Sequence, residues 1–345
     1  MDQKTTILST HQLSAGYAGH QPLISKVELE VRSGELICLL GTNGAGKSTL
    51  LRTLAGMQNA LEGEVSLLGK SVSKIAPKVL AQQLALVLTE RGIAPNLRVH
   101  ELIAMGRHPY TGWFGKLSKE DQRIVRQAME DTGVMAFAER PFYELSDGER
   151  QKVMIARALA QDTPLIILDE PTVHLDLPNR VEIMQLLHRL AHEKQKAILM
   201  SSHDLELVIQ MADQLWLLHQ QSISSGIPED LILQGKLQES FQSKNIRFDQ
   251  QKGTFVICRQ SKQLLNLQGE GKLAHWTRQA LERVGYKVVQ DSSVQLTVQI
   301  QPTTPVPSWI IQGQGETILC RSLSGLLEKL QERQVLPSEK ISSKE

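Results

Sequence analysis

An α/β fold followed by a small α+β domain is predicted for this 345-residue chain, and three observations predict it. Residues 36–40 (Leu-Ile-Cys-Leu-Leu) form an apolar run of strand length that breaks at a glycine-rich turn and gives way to the helix-prone stretch 49–55. Two further apolar runs, 164–168 and 196–200, end on polar, chemistry-bearing residues, as strands of an open parallel sheet do at their carboxyl ends. From about residue 258 the pattern becomes alternating segments interleaved with helices. At 41% hydrophobic and 22% charged, the composition suits one large domain and a small second one.

The 38 basic and 37 acidic side chains leave a formal net charge of +1, so no global field draws the chain to nucleic acid or anionic lipid. No nucleic-acid partner is expected. No apolar run approaches membrane-spanning length, and the opening Met-Asp-Gln-Lys-Thr-Thr lacks the features of a signal peptide, which predicts a chain that stays in the cytosol. Cys38, Cys258 and Cys320 have neither zinc nor redox-pair spacing and read as buried, reduced thiols.

Residues 41–48 read Gly-Thr-Asn-Gly-Ala-Gly-Lys-Ser between the first strand and its helix. Backbone N–H groups of such a turn, aimed from a helix N-terminus, hold phosphate oxygens that bulkier side chains would block. Gly41, Thr42, Asn43, Gly44, Ala45, Gly46 and Thr49 are therefore read as the nucleotide cradle, with Lys47 on the outer phosphates and Ser48 on magnesium. The run 164–168 ends on Asp169 and Glu170, and strand alternation would turn the two acids to opposite sides. Asp169 is assigned to Mg2+ through water and Glu170 to the water that attacks the γ-phosphate; the alternative is a pair of acids capping the next turn. The strand 196–202 delivers His203 at its carboxyl end, either as a γ-phosphate sensor or as a structural hydrogen-bonding group.

Leu145-Ser146-Asp147-Gly148-Glu149-Arg150-Gln151, followed by the helical run 152–160, is the most discriminating segment, and here the chain resembles the ABC transporter ATPases. The resemblance covers residues 6–257, with an aromatic loop at Tyr17, the Walker A motif from Gly41 to Thr49, the signature at 145–149, Walker B ending in Asp169-Glu170, a D-loop at Leu175-Asp176 and a switch His203. It implies a P-loop NTPase of ABC ATPase type: a RecA-like core, an antiparallel β subdomain and a helical signature subdomain at about 91–160. In that family two ATPase domains pack head to tail, so Ser146 and the Gly148 N–H would complete the γ-phosphate cage of a second subunit. One chain cannot close a site, which implies a homodimer or a paired second ATPase. Tyr17 would stack on adenine, worth about 1–3 kcal/mol by analogy with bases on aromatics. Asp176 completes the nucleotide-contacting set.

Two positions depart from the family pattern. Glu90 stands where a glutamine is usual, offering Mg2+ a hard ligand but no amide donor. Asp147 replaces the signature's second glycine, and an anion about 6 Å from phosphate would be disfavoured by about 3 kcal/mol at an effective dielectric near 20, so its side chain must point away. Residues 91–118, with Tyr110, Trp113 and Phe114 in one glycine-rich loop, look like the importer ATPases that serve iron-chelate (siderophore), haem and cobalamin permeases. That likeness implies integral membrane permease subunits as partners, a substrate-binding protein indirectly, and a place on the cytoplasmic face of the cell membrane. The rival is a soluble ABC-type ATPase acting on ribosomes or DNA, but such proteins usually join two cassettes or carry coiled coils or zinc insertions, which this chain lacks.

Ser118 is placed as the cap of a helix whose apolar face carries Ile124, Ala128 and Met129, with Arg123, Arg126 and Glu130 on a solvated face. The ATPase domain is expected to span 1–257, a small α+β domain of unassigned role 258–336, and a disordered tail 337–345. In the small domain, Leu273, Trp276, Ala280, Leu281 and Val284 fall at helical spacing, Trp276 reading as core; Val294 to Ile300 alternate as a strand. Strands near 309–312 and 316–321 then lead to a helix bearing Leu323, Leu326, Leu327 and Leu330.

Overall fold

The computed structural model describes residues 5–88, 96–112, 115–241, 246–249, 253–257, 263–302, 306–313 and 315–335, in two compact units, Met1–Val256 and Ile257–Glu345. Glu90, Trp113, Phe114, Cys258 and the 337–345 tail lie outside the described residues. The first unit opens with β1 (Thr6–Ala15), which pairs antiparallel with β2 (Ile24–Val27) and β3 (Glu30–Arg32). β4 (Leu36–Gly41) leaves this layer, and β5 (Glu62–Leu67) and β6 (Lys70–Ser71) return to it. β4 lies inside a second sheet with β7 (Leu84–Val87), β8 (Leu165–Leu168), β9 (Ala197–Ser201), β10 (Gln214–His219) and β11 (Ser222–Gly226), in the order β11-β10-β4-β9-β8-β7. Its pairs are parallel except β10 with β11.

β4, β8 and β9 are buried along their whole length because both faces of the sheet are covered. Ile37, Leu39, Leu165, Ile167 and Leu199 point into a core shared with the antiparallel sheet and α1 (Lys47–Leu54). The alternate residues Leu36, Cys38, Ile166, Leu168 and Met200 point into a second core under the helices. Each such aliphatic side chain contributes about 1.5–3 kcal/mol on burial, so this strand tolerates no polar residue until its carboxyl end. That is where the candidate residues sit.

After the short α2 (Pro77–Leu80), the helical part comprises α3 (Val99–Ala104), α4 (Lys119–Thr132) and α5 (Asp147–Ala160). Ser118 caps α4 by accepting from the Asp121 N–H, and Gly133 at φ 72° ends it. Ala128 and Met129 are buried with Val125, while Arg123–Glu120 and Arg126–Glu130 pair on the exposed face, as expected. Arg107 and Asp121 form a buried ion pair at 2.8 Å, Arg107 also reaches the Ala160 carbonyl, and Tyr110 lies over its guanidinium at 3.8 Å. α6 (Leu177–Lys194), α7 (Leu205–Met211), α8 (Pro228–Leu233), α9 (Lys236–Phe241) and the hairpin β12 (Ile246–Asp249) and β13 (Thr254–Ile257) complete the unit.

The second unit is a five-stranded sheet, β15-β14-β16-β17-β18, of β14 (Gln263–Gln268), β15 (Tyr286–Val289), β16 (Thr297–Gln301), β17 (Ser308–Gly313) and β18 (Glu316–Cys320), with α10 (Gly271–Arg283) and α11 (Leu323–Val335). Sequence periodicity did not reveal β14 and β15. It also misplaced Trp276, which is 61% exposed; Thr277 and Leu281 are the buried positions of α10. Trp309 from β17 occupies the core instead and donates its indole N–H to the Thr277 hydroxyl at 2.8 Å. Cys38 and Cys320 are buried free thiols, and burial pushes Cys320 up and Cys38 further still.

Candidate functional site

The turn after β4 is shaped by its glycines. Gly44 and Gly46 take φ 78° and 107°, a region closed to most side chains, and a Cβ on Gly46 would sit 3.1 Å from Leu23. Gly46 leads directly into α1, so the loop's N–H groups converge at that helix's N-terminus. Lys47 is buried and donates from Nζ to the carbonyls of Gly41 (3.0 Å) and Thr42 (3.4 Å), lying back over its own loop. Burial lowers its pKa, and the carboxylates of Glu170 and Asp169 pull in the opposite direction. The loop lysine and the two acids, 122 or more residues apart in sequence, thus share one electrostatic neighbourhood.

β8 and β9 are neighbours, and their carboxyl ends bring the acids to one hydroxyl. Ser201, fully buried, donates to Asp169 Oδ1 at 2.7 Å and accepts from the Glu170 N–H at 2.8 Å. The strand stops at Leu168, and Glu170 adopts φ 51°. The two acids therefore diverge through a left-handed turn, not through the strand alternation read from the sequence. Such a conformation costs about 1–3 kcal/mol and persists only where the surroundings hold it; Ser201 is part of what does so. His203 Nε2 lies 2.5 Å from Glu170 Oε1, which orients the carboxylate. Ser201 was not singled out from the sequence, although a hydroxyl at the end of an otherwise apolar buried strand is a signal for it.

Two further side chains escaped the sequence reading. Arg180, on α6, donates to the Leu175 carbonyl at 2.7 Å and pairs with Asp204 at 3.4 Å, tying the turn before α6 to the segment after His203. Asn179 donates to Asp176 Oδ1 from its backbone (3.1 Å) and its side chain (2.6 Å), so Asp176 is the N-cap of α6. A cleft of about 790 Å³ opens beside this cluster, lined by Glu170, His174, Leu177, Arg180, His203 and Phe255. His174, at φ 64°, is a second strained non-glycine residue there.

Tyr17 is 54% exposed with its hydroxyl 3.5 Å from Thr49 Oγ1, at the edge of the loop. Ser146 caps α5, and Glu149 returns its carboxylate to the Ser146 N–H and hydroxyl, both at 2.8 Å, a reciprocal box that holds the Glu149 carboxyl below its usual pKa. A Cβ on Gly148 would lie 2.5 Å from Asn179 Oδ1, so any side chain there would have to displace the Asn179 amide that bonds Asp176. Asp147 faces outward and pairs with Arg150 at 3.4 Å. Among the described residues, no hydrogen bond or ion pair joins Ser146 or Gly148 to the loop, to Asp169 or to Glu170. The structure thus brings together Lys47, Asp169, Glu170 and His203, with Ser48 at the start of α1, while the Ser146 surface has its partners elsewhere.

Residues 24–173 match the family model described as ABC transporter, and residues 261–331 match the model described as Iron ABC transporter C-terminal domain. An uncharacterized ABC transporter ATP-binding protein of Methanocaldococcus jannaschii is 41% identical over 252 residues, covering 73% of this chain and 87% of that protein. The iron(3+)-hydroxamate import ATP-binding protein FhuC of Bacillus subtilis is 45% identical over 57% of this chain and 73% of its own length. The hemin import ATP-binding protein HmuV of Streptomyces coelicolor is 40% identical over 65% of this chain and 80% of its own length. Among solved structures, a nucleotide-free ATP-binding cassette from an ABC transporter superposes with a TM-score of 0.62 at 23% identity, over 70% of this chain and all (100%) of that one.

Proposed function

The chain belongs to the ABC transporter ATP-binding proteins, and from that membership we propose that it is the energy-coupling subunit of an importer for iron chelates, haem among them. It binds and hydrolyses ATP, works with membrane permease subunits, and dimerises, as that family does. No helix among the described residues is long and apolar enough to cross a membrane, so association with the membrane would run through the permease. The iron chelate class rests on the match of residues 261–331 to an iron-transporter C-terminal domain and on relatives named for hydroxamate and hemin import. Cobalamin has no such support here.

The observation that carries the mechanism is the cluster at the ends of β4, β8 and β9. In it Glu170 takes the proton of the attacking water, with His203 at 2.5 Å setting the carboxylate's direction. Lys47, released from the Gly41 and Thr42 carbonyls, donates to the outer phosphates. Ser48, Asp169 and Glu90 are hard oxygen donors suited to Mg2+, and Asp169, buried and fixed by Ser201, fits that use. When bound, the ion would neutralise phosphate charge. Tyr17 stacks on adenine at the loop's edge. Ser146 and the Gly148 N–H, joined to their own loop by no hydrogen bond among the described residues, serve the phosphates of a second copy, so ATP closes the pair and hydrolysis reopens it. Asp176, capping α6, shapes the turn that meets the partner. Closing and opening are then passed to the permease through the helical part, where Tyr110 is 37% exposed.

The test is to trap the ATP-bound state with Glu170→Gln, solubilise membranes and identify by mass spectrometry what co-purifies. A polytopic permease encoded with an iron-chelate-binding protein is the expected companion. Recovery with ribosomes or DNA would overturn the transporter assignment.

A further inference from the structure

Among the described residues, helices cover one face of the second unit's sheet and none lies on the other. Leu265, Leu267, Val298, Ile300, Trp309 and Ile311 point to the side occupied by Leu281 of α10 and Leu326 and Leu330 of α11. Strand register fixes the opposite face: Gln268 lies beside Gln299, Gln299 beside Ile310, and Ile310 beside Leu319, with Leu264 further along β14. Leu264 and Leu319 are 50% and 54% exposed. The other strand positions on this face are amides, hydroxyls and Val289, and Lys287 on the edge strand β15 is the one charged side chain among them. In a chain that is 22% charged, a solvated strand face would be expected to carry several lysines and glutamates. Loss of charge with retention of apolar atoms is instead the composition of an interface core.

We propose that this face, centred on Gln299 and Ile310, docks against the same face of a second copy of the chain when ATP pairs the ATPase units; the proposal rests on the pairing described above. Charge favours a like partner: a face without a central ion presents no repulsion to its twofold image, and amide side chains both donate and accept, so they match their own kind. Area sets the condition. Five strands about 4.8 Å apart and five residues of about 3.3 Å each cover about 400 Å², so two such faces bury roughly 800–1,000 Å², below the range of a stable independent dimer. Such a contact forms only when something else brings the faces together, and tethering to a closed ATPase pair supplies effective concentrations in the millimolar range. The second unit would then report on, and reinforce, the ATP-bound state.

The test uses the full-length chain carrying Glu170→Gln to hold the closed state and Cys258→Ser to remove the third thiol, which lies outside the described residues. Gln299→Cys and, separately, Ile310→Cys are treated with a short thiol crosslinker, with and without Mg-ATP, while light scattering reports pairing independently. The expected result is chain-to-chain crosslinking at both positions that rises at least tenfold with ATP and is abolished at Gln299→Cys by adding Ile310→Lys. An ATP-bound pair by light scattering without crosslinking at either cysteine would overturn the face-to-face contact and leave the ATPase reading standing. Crosslinking of either cysteine within one chain would likewise overturn it. Absence of any ATP-dependent pair would overturn both.

Discussion

Glu170, His203 and Ser201 show how much of the chemistry is decided by single atoms. Glu170 is held in a left-handed conformation with its carboxylate 2.5 Å from His203 Nε2, and its backbone N–H is bound to Ser201 Oγ. Replacing the carboxylate by an amide, Glu170→Gln, keeps the shape and removes the proposed base. Phosphate release is expected to fall by about 10²–10⁴ while ATP binding, followed by a fluorescent analogue, is retained. Ser201→Ala leaves Asp169 Oδ1 and the Glu170 N–H without a shared partner in a fully buried position. It should cost about 1–3 kcal/mol in a urea melt and lower turnover about tenfold; a variant as stable and active as wild type would show that the hydroxyl positions neither acid. The acids and the histidine were legible because each ends an apolar run. Ser201 was not, because its role depends on β8 and β9 lying side by side.

At the scale of elements, the helical part depends on caps and one buried ion pair. Hydrogen bonds from Ser118, and then the guanidinium of Arg107, hold the Asp121 carboxyl below its ordinary pKa. The stability it contributes is complete above the unfolded value of about 3.9 and is lost as pH falls through the lower folded value. Asp121→Asn leaves Arg107 buried and uncompensated, an expected cost of about 3–5 kcal/mol at pH 7. The gap between variant and wild type should narrow as urea melts are repeated below pH 4; a gap that widens in acid would contradict the assignment. Ser146 separates structure from chemistry in the same way. Ser146→Asp keeps an N-cap acceptor but loses the hydroxyl that donates to Glu149 and brings two carboxylates together, so it should cost about 1–3 kcal/mol and leave the chain folded, whereas an anion placed toward the partner's phosphates should abolish turnover. Ser146 was read for phosphate contact and its capping role emerged from the fold, whereas the Ser118 cap was legible from the serine and the acids that follow it. The face of α10 was not: hydrophobicity assigned Trp276 to the core, whereas the core holds Thr277 because Trp309, remote in sequence, needs its hydroxyl.

At the scale of the whole molecule, the proposed ATPase site is divided between two chains. Lys47, Asp169, Glu170 and His203 converge in one place, and among the described residues no hydrogen bond or ion pair joins the Ser146–Gly148 helix end to them. With the signature serving a second copy, as proposed above, hydrolysis is a property of the pair. The large-scale order of the first unit was legible because its motifs follow one another along the chain, while the five-stranded sheet of the second was only half legible. Leu264 breaks the alternation of β14 by setting an apolar side chain on the face opposite Leu265 and Leu267, and Asn266 on that same face is buried because it accepts from the Asp291 N–H and reaches Thr297. Long-range partners of this kind leave no period in a sequence.

The most direct measurement mixes two inactive chains, one carrying Lys47→Ala and the other Ser146→Asp. If the site is shared, a mixed pair holds one intact loop facing one intact signature, and phosphate release should return to about a quarter of wild type at equal mixing, since half the pairs are mixed and each has one working site. A mixture that stays inactive while light scattering shows the two chains paired would contradict the divided site, as would a Ser146→Asp chain that hydrolyses ATP by itself at the wild-type rate.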